Sequence, residues 1–377
     1  MRTELRPRST QSDAEPTDRD TVLELHEISK SFGGMAAVDS VSLQVREGEL
    51  LTLLGPSGCG KTTTLRMIAG LERPDSGHMT LDGDSLASGT QFVHPEERPV
   101  GLVFQDFALF PHMTAAENVA FGITDMPTPE RDQRVHELLE LVDLLECADQ
   151  QPRDLSGGQQ QRIALARSLA VEPDVLLLDE PFSNLDVDLR VTMREEVRRI
   201  LKESGVTAIS VTHDQEEALS ISDRVAVMHQ GRIEQVGSPE SVFQQPASRF
   251  VAGFLGHASF LSAYVGGDIV ETGIGRVGRD QIHGLAPEYD ETSIDVMVRP
   301  DDVIATPHDT ASETNGIVTY RRYLGPSVLY RIELDNGDVV ECMHNHTDDI
   351  SLDERVRVEL PATHELAWFP TREKAGD

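Results

Sequence analysis

Apolar residues follow three different rhythms along this chain, and each rhythm predicts a different element. Between Thr21 and Gly48 they nearly alternate: Val22, Leu23, Leu25 and Ile28, then Val38, Val41, Leu43 and Val45. A period of two puts one face on a core and the other in water, as in strands. Leu50 to Leu54, Val175 to Leu178 and Ala208 to Val211 are nearly continuous apolar runs instead, which predicts strands covered on both faces. Helical spacing appears over Lys61 to Gly70, with Leu65, Ile68 and Ala69 facing inward, and over Arg134 to Leu145. It recurs over Gln159 to Ala170, where Ile163, Ala166, Leu169 and Ala170 share a stripe. Buried strands alternating with helices predict a parallel α/β sheet.

After about Pro246 short β-type runs dominate: Asp295 to Val298, Gly316 to Tyr320, Val328 to Leu334, Val339 to Met343 and Arg355 to Leu360. Asp335-Asn336-Gly337-Asp338, between two alternating runs, predicts a type I′ hairpin. The expected organisation is a polar, disordered tail over residues 1–20, an α/β domain over 21–245 with a helical insertion at about 106–165, and a small all-β domain over 246–377. The tail holds no apolar stretch of the kind a secretory signal needs. No apolar run approaches the ~18–20 residues that span a bilayer, so a membrane role has to come through a partner.

Charge narrows the partners. The 377 residues carry a formal net charge of −32, and only four of the 33 basic residues are lysines. So acidic and lysine-poor a surface resembles proteins of salt-loving archaea, where salt screens self-repulsion. It argues against nucleic acid as a ligand, since a polyanion needs a basic footprint. Three scattered cysteines form neither a disulfide framework nor a CxxC pair, which suits a reducing cytosol.

Gly55-Pro56-Ser57-Gly58-Cys59-Gly60-Lys61-Thr62 fits G-x-x-x-x-G-K-[ST], with a buried strand entering and a helix leaving. The glycines let backbone N–H groups face phosphates, and the helix N-terminus adds partial positive charge. Lys61 is expected on the β- and γ-phosphates of ATP, and the Thr62 hydroxyl, followed by Thr63, on Mg²⁺. Asp179 and Glu180 end the second buried strand, beside the phosphate loop. Asp179 suits the metal and Glu180 the base that polarises attacking water. His213 follows the third buried strand, where a neutral imidazole suits contact with the γ-phosphate or orientation of Glu180 and water. Ser156 is a good N-cap for the helix it precedes, and Gly157 and Gly158 allow an anion close to the backbone.

Together these motifs resemble a family. The phosphate loop, Gln105 in "VFQD", "LSGGQQQR" (Leu155 to Arg162), "LLLDEP", "SNLD" and "VTHD" stand in the order found in ABC-transporter ATPase subunits, over roughly residues 21–245. The resemblance implies a P-loop NTPase fold, with a RecA-like parallel sheet, an antiparallel β part and the inserted helical subdomain. It implies that Phe32 stacks on adenine, that Gln105 links Mg²⁺ and water to the docking site of a membrane subunit, and that Asp186 lies at a dimer seam. Two copies would close head-to-tail over two ATP molecules, and Ser156, Gly157, Gly158 and Gln159 of one would contact the γ-phosphate held by the other. "MVRPDDV" and "YLGPSVLYRIELDNG" resemble the C-terminal OB-like domain of importer ATPases. "VHPEERPVGLVFQDFALFPHMTAAENVAFG" resembles the ferric-iron, polyamine, thiamine and sulfate branch, and Gln105-Asp106 leans towards iron and thiamine. Implied partners are a second copy, two integral-membrane permease subunits and, indirectly, an extracellular solute-binding protein, with the chain on the cytoplasmic face of the membrane.

Other readings fit less well. A non-transport ABC ATPase would usually bring a second cassette, zinc spacing or basic arms, and a P-loop kinase would leave Leu155 to Gln159 without a purpose. Gly273 to Gly278 fits G-x-G-x-x-G, but no helix is predicted after it, so turn glycines are the better account. Cys342, His344 and His346 lack a fourth ligand and read as strand and loop residues.

Overall fold

The computed structural model describes residues 20–308, 313–361 and 363–371, so the expected tail, Asp20 apart, lies outside the described residues. The chain divides into two compact units, Met1–Glu240 and Ser241–Asp377. In the first, β1 (Thr21–Phe32) and β2 (Met35–Arg46) precede β3 (Leu50–Leu54) and helix α1 (Lys61–Ile68). With β4 (Ser76–Leu81), β5 (Asp84–Ser88) and β6 (Gln91–Phe92) they build a five-stranded antiparallel sheet in the order β2-β1-β4-β5-β6. Next come β7 (Val100–Val103), helices α2 (Ala115–Ala120), α3 (Thr128–Leu141) and α4 (Gly157–Ala170), and β8 (Val175–Asp179). Then follow α5 (Val187–Ser204), β9 (Thr207–Thr212), α6 (Gln215–Ile221), β10 (Arg224–His229) and β11 (Arg232–Gly237). The second sheet runs β11-β10-β3-β9-β8-β7, parallel except for the β10–β11 pair.

The continuous apolar runs have a direct cause. Leu50, Leu176, Leu178 and Ala208 point into one core with α2 to α5, while Leu51, Leu53, Val175, Leu177, Ile209 and Val211 point into another with α1 and the antiparallel sheet. Each strand therefore buries both faces.

Three local expectations change. The helix expected over Arg134 to Leu145 is α3, which starts at Thr128 and stops at Leu141. Asp143 turns left-handed (φ 55°), and the Leu144 amide returns to the Leu139 carbonyl at 2.8 Å. Buried Leu144 extends the apolar pattern past the true helix end. Helix α1 stops at Ile68 rather than Gly70, whose φ is 77°. The hairpin at Asp335 to Asp338 is not type I′, because Asn336 does not take positive φ and only Gly337 (φ 87°) does. Gly337 N–H bonds the Leu334 carbonyl at 2.9 Å and Leu334 N–H the Asp338 carbonyl at 2.8 Å, a type I turn with a G1 bulge. The Asn336 side chain, accepting the Asp338 amide at 3.0 Å, favours this form.

The second unit holds two five-stranded antiparallel sheets among its described residues. One contains Ser259–Gly266, Ile269–Thr272, Gly275–Gly278, Thr292–Val298 and Trp368–Pro370. The other contains Ile304–Pro307, Gly316–Tyr323, Ser327–Leu334, Val339–Asn345 and Arg355–Glu359. Val296, Val328, Tyr330, Ile332, Val340 and Val356 belong to their common core. The architecture is the expected parallel α/β sheet with an antiparallel β part and inserted helices, followed by an all-β, OB-like domain.

Candidate functional site

Four neighbouring parallel strands, β3, β9, β8 and β7, end on one edge of the second sheet. β3 runs into the phosphate loop, β9 into His213, β8 ends at Asp179 with Glu180 next, and β7 is followed two residues later by Gln105. Parallel pairing thus gathers residues that lie up to 158 positions apart, from Gly55 to His213, at the carboxyl ends where open α/β sheets take ligands.

The loop from Gly55 to Gly60 is tightly braced. A Cβ on Gly55 would stand 2.3 Å from the Met228 carbonyl oxygen, and one on Gly60 (φ 108°) 2.3 Å from that of Ala37. Neither position admits a side chain, which leaves the loop backbone bare for phosphate. The Gly231 amide donates to the Cys59 carbonyl at 3.0 Å, and the Gly231 carbonyl accepts the Asp39 amide at 2.8 Å. Lys61 is buried, its ammonium donating to the carbonyls of Gly55 (2.7 Å) and Pro56 (3.0 Å) across the loop. Cys59 is buried beside it, and burial pushes its thiol up from the usual value. The loop keeps Ser57 and Gly58 (φ 79°) at its outer turn, and Thr62 and Thr63 in the first turn of α1.

Burial raises the Asp179 carboxyl; Arg66, Thr62 and Lys61 pull it back, while Glu180 pushes the same way as burial. Glu180 leaves the strand with a left-handed backbone, φ 46°, a costly conformation for a side-chain-bearing residue. Its amide still bonds the Val211 carbonyl at 3.0 Å, and its carbonyl accepts the Ser183 amide at 3.2 Å and hydroxyl at 2.9 Å. The Glu180 carboxylate then stands 3.3 Å from His213 Nδ1. The imidazole is half in solvent, with a side-chain exposure of 56%. Exposed Gln105 is held by its backbone: its carbonyl accepts the Asn184 side-chain amide at 2.8 Å. Asp186, at the start of α5, is exposed and makes no cap bond with its side chain.

Phe32 is at the tip of the β1–β2 hairpin, 49% exposed, with the Lys30 ammonium 5.3 Å from its ring centre. Five residues on, Ala37 supplies the carbonyl that closes over Gly60. Ser156 caps α4 in a full capping box: its hydroxyl accepts the Gln159 amide at 3.3 Å, and its own amide donates to Gln159 Oε1 at 2.8 Å. The glycines beside it have an internal reason. A Cβ on Gly157 would stand 3.1 Å from Leu185, and one on Gly158 2.8 Å from the Met193 sulfur. The absent side chains of Gly157 and Gly158 thus make room for the start of α5 and the loop before it.

Residues 38–183 match the ABC transporter family and residues 296–368 the TOBE domain. The spermidine/putrescine import ATP-binding protein PotA of Thermobifida fusca is 45% identical over 88% of this chain and 88% of its own length. The chain belongs to the ATP-binding proteins of ABC transporters. Two further relatives of this ABC ATPase are 46% identical. They are the sulfate/thiosulfate import ATP-binding protein CysA of Bradyrhizobium diazoefficiens (89% of this chain, 97% of its own) and the trehalose/maltose import ATP-binding protein MalK of Thermococcus litoralis (74% and 82%). Among solved structures, cbiO1 from Clostridium perfringens, part of an ABC transporter complex, is 30% identical with a TM-score of 0.55 over 59% of this chain and 90% of its own. An ATP-binding cassette in a dimeric, post-hydrolysis state bound to ADP and Pi is 32% identical with a TM-score of 0.50 over 58% and 98%. The nucleotide of this ABC ATPase is ATP.

Other residues of the site escape sequence reading. Arg194 and Glu217 stand outside the quoted motifs, while Asn184 and Asp214 fall inside "SNLD" and "VTHD" without a role assigned to them there. The one signal was Asp214-Gln215-Glu216-Glu217, an acid three residues after a capping aspartate. The G-x-G-x-x-G run at Gly273 to Gly278 lies on strand and turn, followed by a single 3₁₀ turn over Arg279–Gln281. Cys342 is buried in its strand, and no group of three metal-capable side chains occurs among the described residues. No helix among them is long and apolar enough to cross a membrane.

Proposed function

We propose that the chain is the ATP-hydrolysing subunit of a solute importer, and that two copies close head-to-tail over two ATP molecules. One observation carries the reading: the ends of four adjacent parallel strands bring a phosphate loop, an acid pair, a histidine and a glutamine to one edge. Residues Gly55 to Thr63 hold the phosphates, with Lys61 on the β- and γ-oxygens, and Phe32 stacks on adenine. Thr62, Asp179 and Gln105 offer the hard oxygens that Mg²⁺ prefers. The ion, when bound, neutralises charge on the phosphates. Glu180 accepts the proton of the attacking water, and His213, already beside it, holds Glu180 and the water in line. Ser156, Gly157, Gly158 and Gln159 of one copy touch the γ-phosphate held by the other, with Asp186 at the seam. Hydrolysis then opens the pair, and the motion passes through the Gln105 region to two membrane permease subunits.

These partners place the chain on the cytoplasmic face of the membrane, with an extracellular binding protein delivering the solute and no role for nucleic acid. The motifs favour the ferric-iron, thiamine or polyamine class; sulfate and sugar importers use similar subunits, as the relatives' names indicate. The net charge of −32 fits a salt-loving archaeal source. The deciding experiment measures ATP hydrolysis in high salt, with and without its membrane permease subunits. Stimulation by the permeases is expected. Hydrolysis that ignored them and responded to DNA or ribosomes would contradict the importer reading.

A further inference from the structure

Behind His213 lies a buried acid to which the reading above gives no role. β9 ends at Thr212, His213 and Asp214 form the turn, and α6 starts at Gln215. Glu217, in the first turn of α6, is 3% exposed. Its Oε2 accepts the Thr212 hydroxyl at 2.7 Å, and that hydroxyl oxygen accepts the Asp214 amide at 3.0 Å. From α5, Arg194 pairs with Asp214 at 2.6 Å and Glu216 at 3.5 Å, while Arg198 donates to the Ile221 carbonyl at the far end of α6. His213 therefore stands between two residues that are both tied to Glu217.

We propose that Glu217 is a positioning residue for ATP hydrolysis: through the Thr212 hydroxyl and the Asp214 amide it fixes the turn that presents His213 to Glu180. The inference rests on the roles given above to Glu180 and His213.

The geometry goes beyond a helix cap. In a capping box the acid three residues on reaches back to the N-cap amide. Here the Asp214 amide goes to Thr212 instead, and the acid is one bond further in. Asp214 caps α6 unaided, its side chain accepting the Glu217 amide at 3.1 Å. Glu217 Oε1 is buried without a hydrogen-bond partner, a place where an ionised carboxylate is costly. Burial pushes this carboxyl up to about 8; the Thr212 hydroxyl and Arg194 oppose the rise, and Asp214 and Glu180 add to it. β3 and β9, which pack against α6, bring no charged side chain. Burial thus favours the neutral form of Glu217. Its ionisation at higher pH puts a negative charge beside Asp214 and Glu180 and disturbs the turn.

The test is steady-state ATP hydrolysis by the purified full-length chain from pH 6 to 10, with the thermal midpoint of each variant recorded. Glu217→Ala is expected to lower kcat about 10-fold, with the KM for ATP within about 2-fold, as for loss of orientation in a proton-transfer step. Glu217→Gln, neutral and of the same shape, restores most of that loss at pH 7. It is also expected to remove the fall in activity predicted for the wild type as pH rises through about 8. Thr212→Val keeps the core volume and lowers kcat as Glu217→Ala does, so the test stands even where the alanine variant folds poorly. Wild-type kcat in Thr212→Val, a glutamine variant as slow as the alanine one, or an unchanged alkaline fall in Glu217→Gln would each overturn the proposal. Hydrolysis by the wild type tests the underlying ATPase reading separately.

Discussion

The two glycine-flanked helix starts of the first unit are built in opposite ways. At α1 the cap residue is Gly60, left-handed, with no side-chain oxygen in front of the helix amides and a buried lysine beside them. At α4 the cap is Ser156, and its hydroxyl already occupies the Gln159 amide. The glycines differ as well. Gly60 is closed in by a backbone carbonyl, whereas Gly158 abuts the flexible Met193. The first terminus is rigid and equipped to hold phosphate alone. The second is self-satisfied and presents an exposed serine, which suits a lesser contact to a phosphate gripped elsewhere.

Substitutions sharpen the contrast. Gly60→Ala should have the largest effect, because the left-handed backbone costs about 1–2 kcal/mol and the added Cβ meets the Ala37 carbonyl. ATP binding by the single chain should fall beyond detection in calorimetry. Ser156→Ala should leave that binding within about 3-fold and show instead in stability. Losing the cap costs about 1 kcal/mol, a fall of about 2–4 °C in Tm for a domain of this size. Gly158→Ala should cost least, under about 1 kcal/mol, since Met193 can turn aside. A Gly158 variant as damaged as Gly60→Ala would break the comparison.

Most of this contrast was legible in the residues, and the exceptions have physical causes. The two-faced strands β3, β8 and β9 were plain because each side chain has an apolar layer to enter. Ser156 declared itself a cap by residue type, and its reciprocal bond with Gln159 was added by the structure. Gly157 and Gly158 have a second, packing reason that the sequence does not show, because Leu185 and Met193, which they accommodate, meet them only in the folded chain. The strands β4, β5 and β6 went unseen, being short and rich in polar residues. The hairpin at Asn336 was assigned the wrong turn, since Asn-Gly suits both forms and the asparagine's bond to Asp338 decides. Glu217 was invisible as a positioning residue, because its partner Thr212 lies on a different element.

The central claim, that one chain's Ser156 completes the site of another, is tested most directly by the mass of the Glu180→Gln protein in ATP and Mg²⁺. Light scattering should find a dimer, and adding Ser156→Arg to the same chain should keep it monomeric while ATP still binds. A Glu180→Gln chain that stays monomeric with ATP, or a double variant that dimerises as readily as the single one, would contradict the shared site.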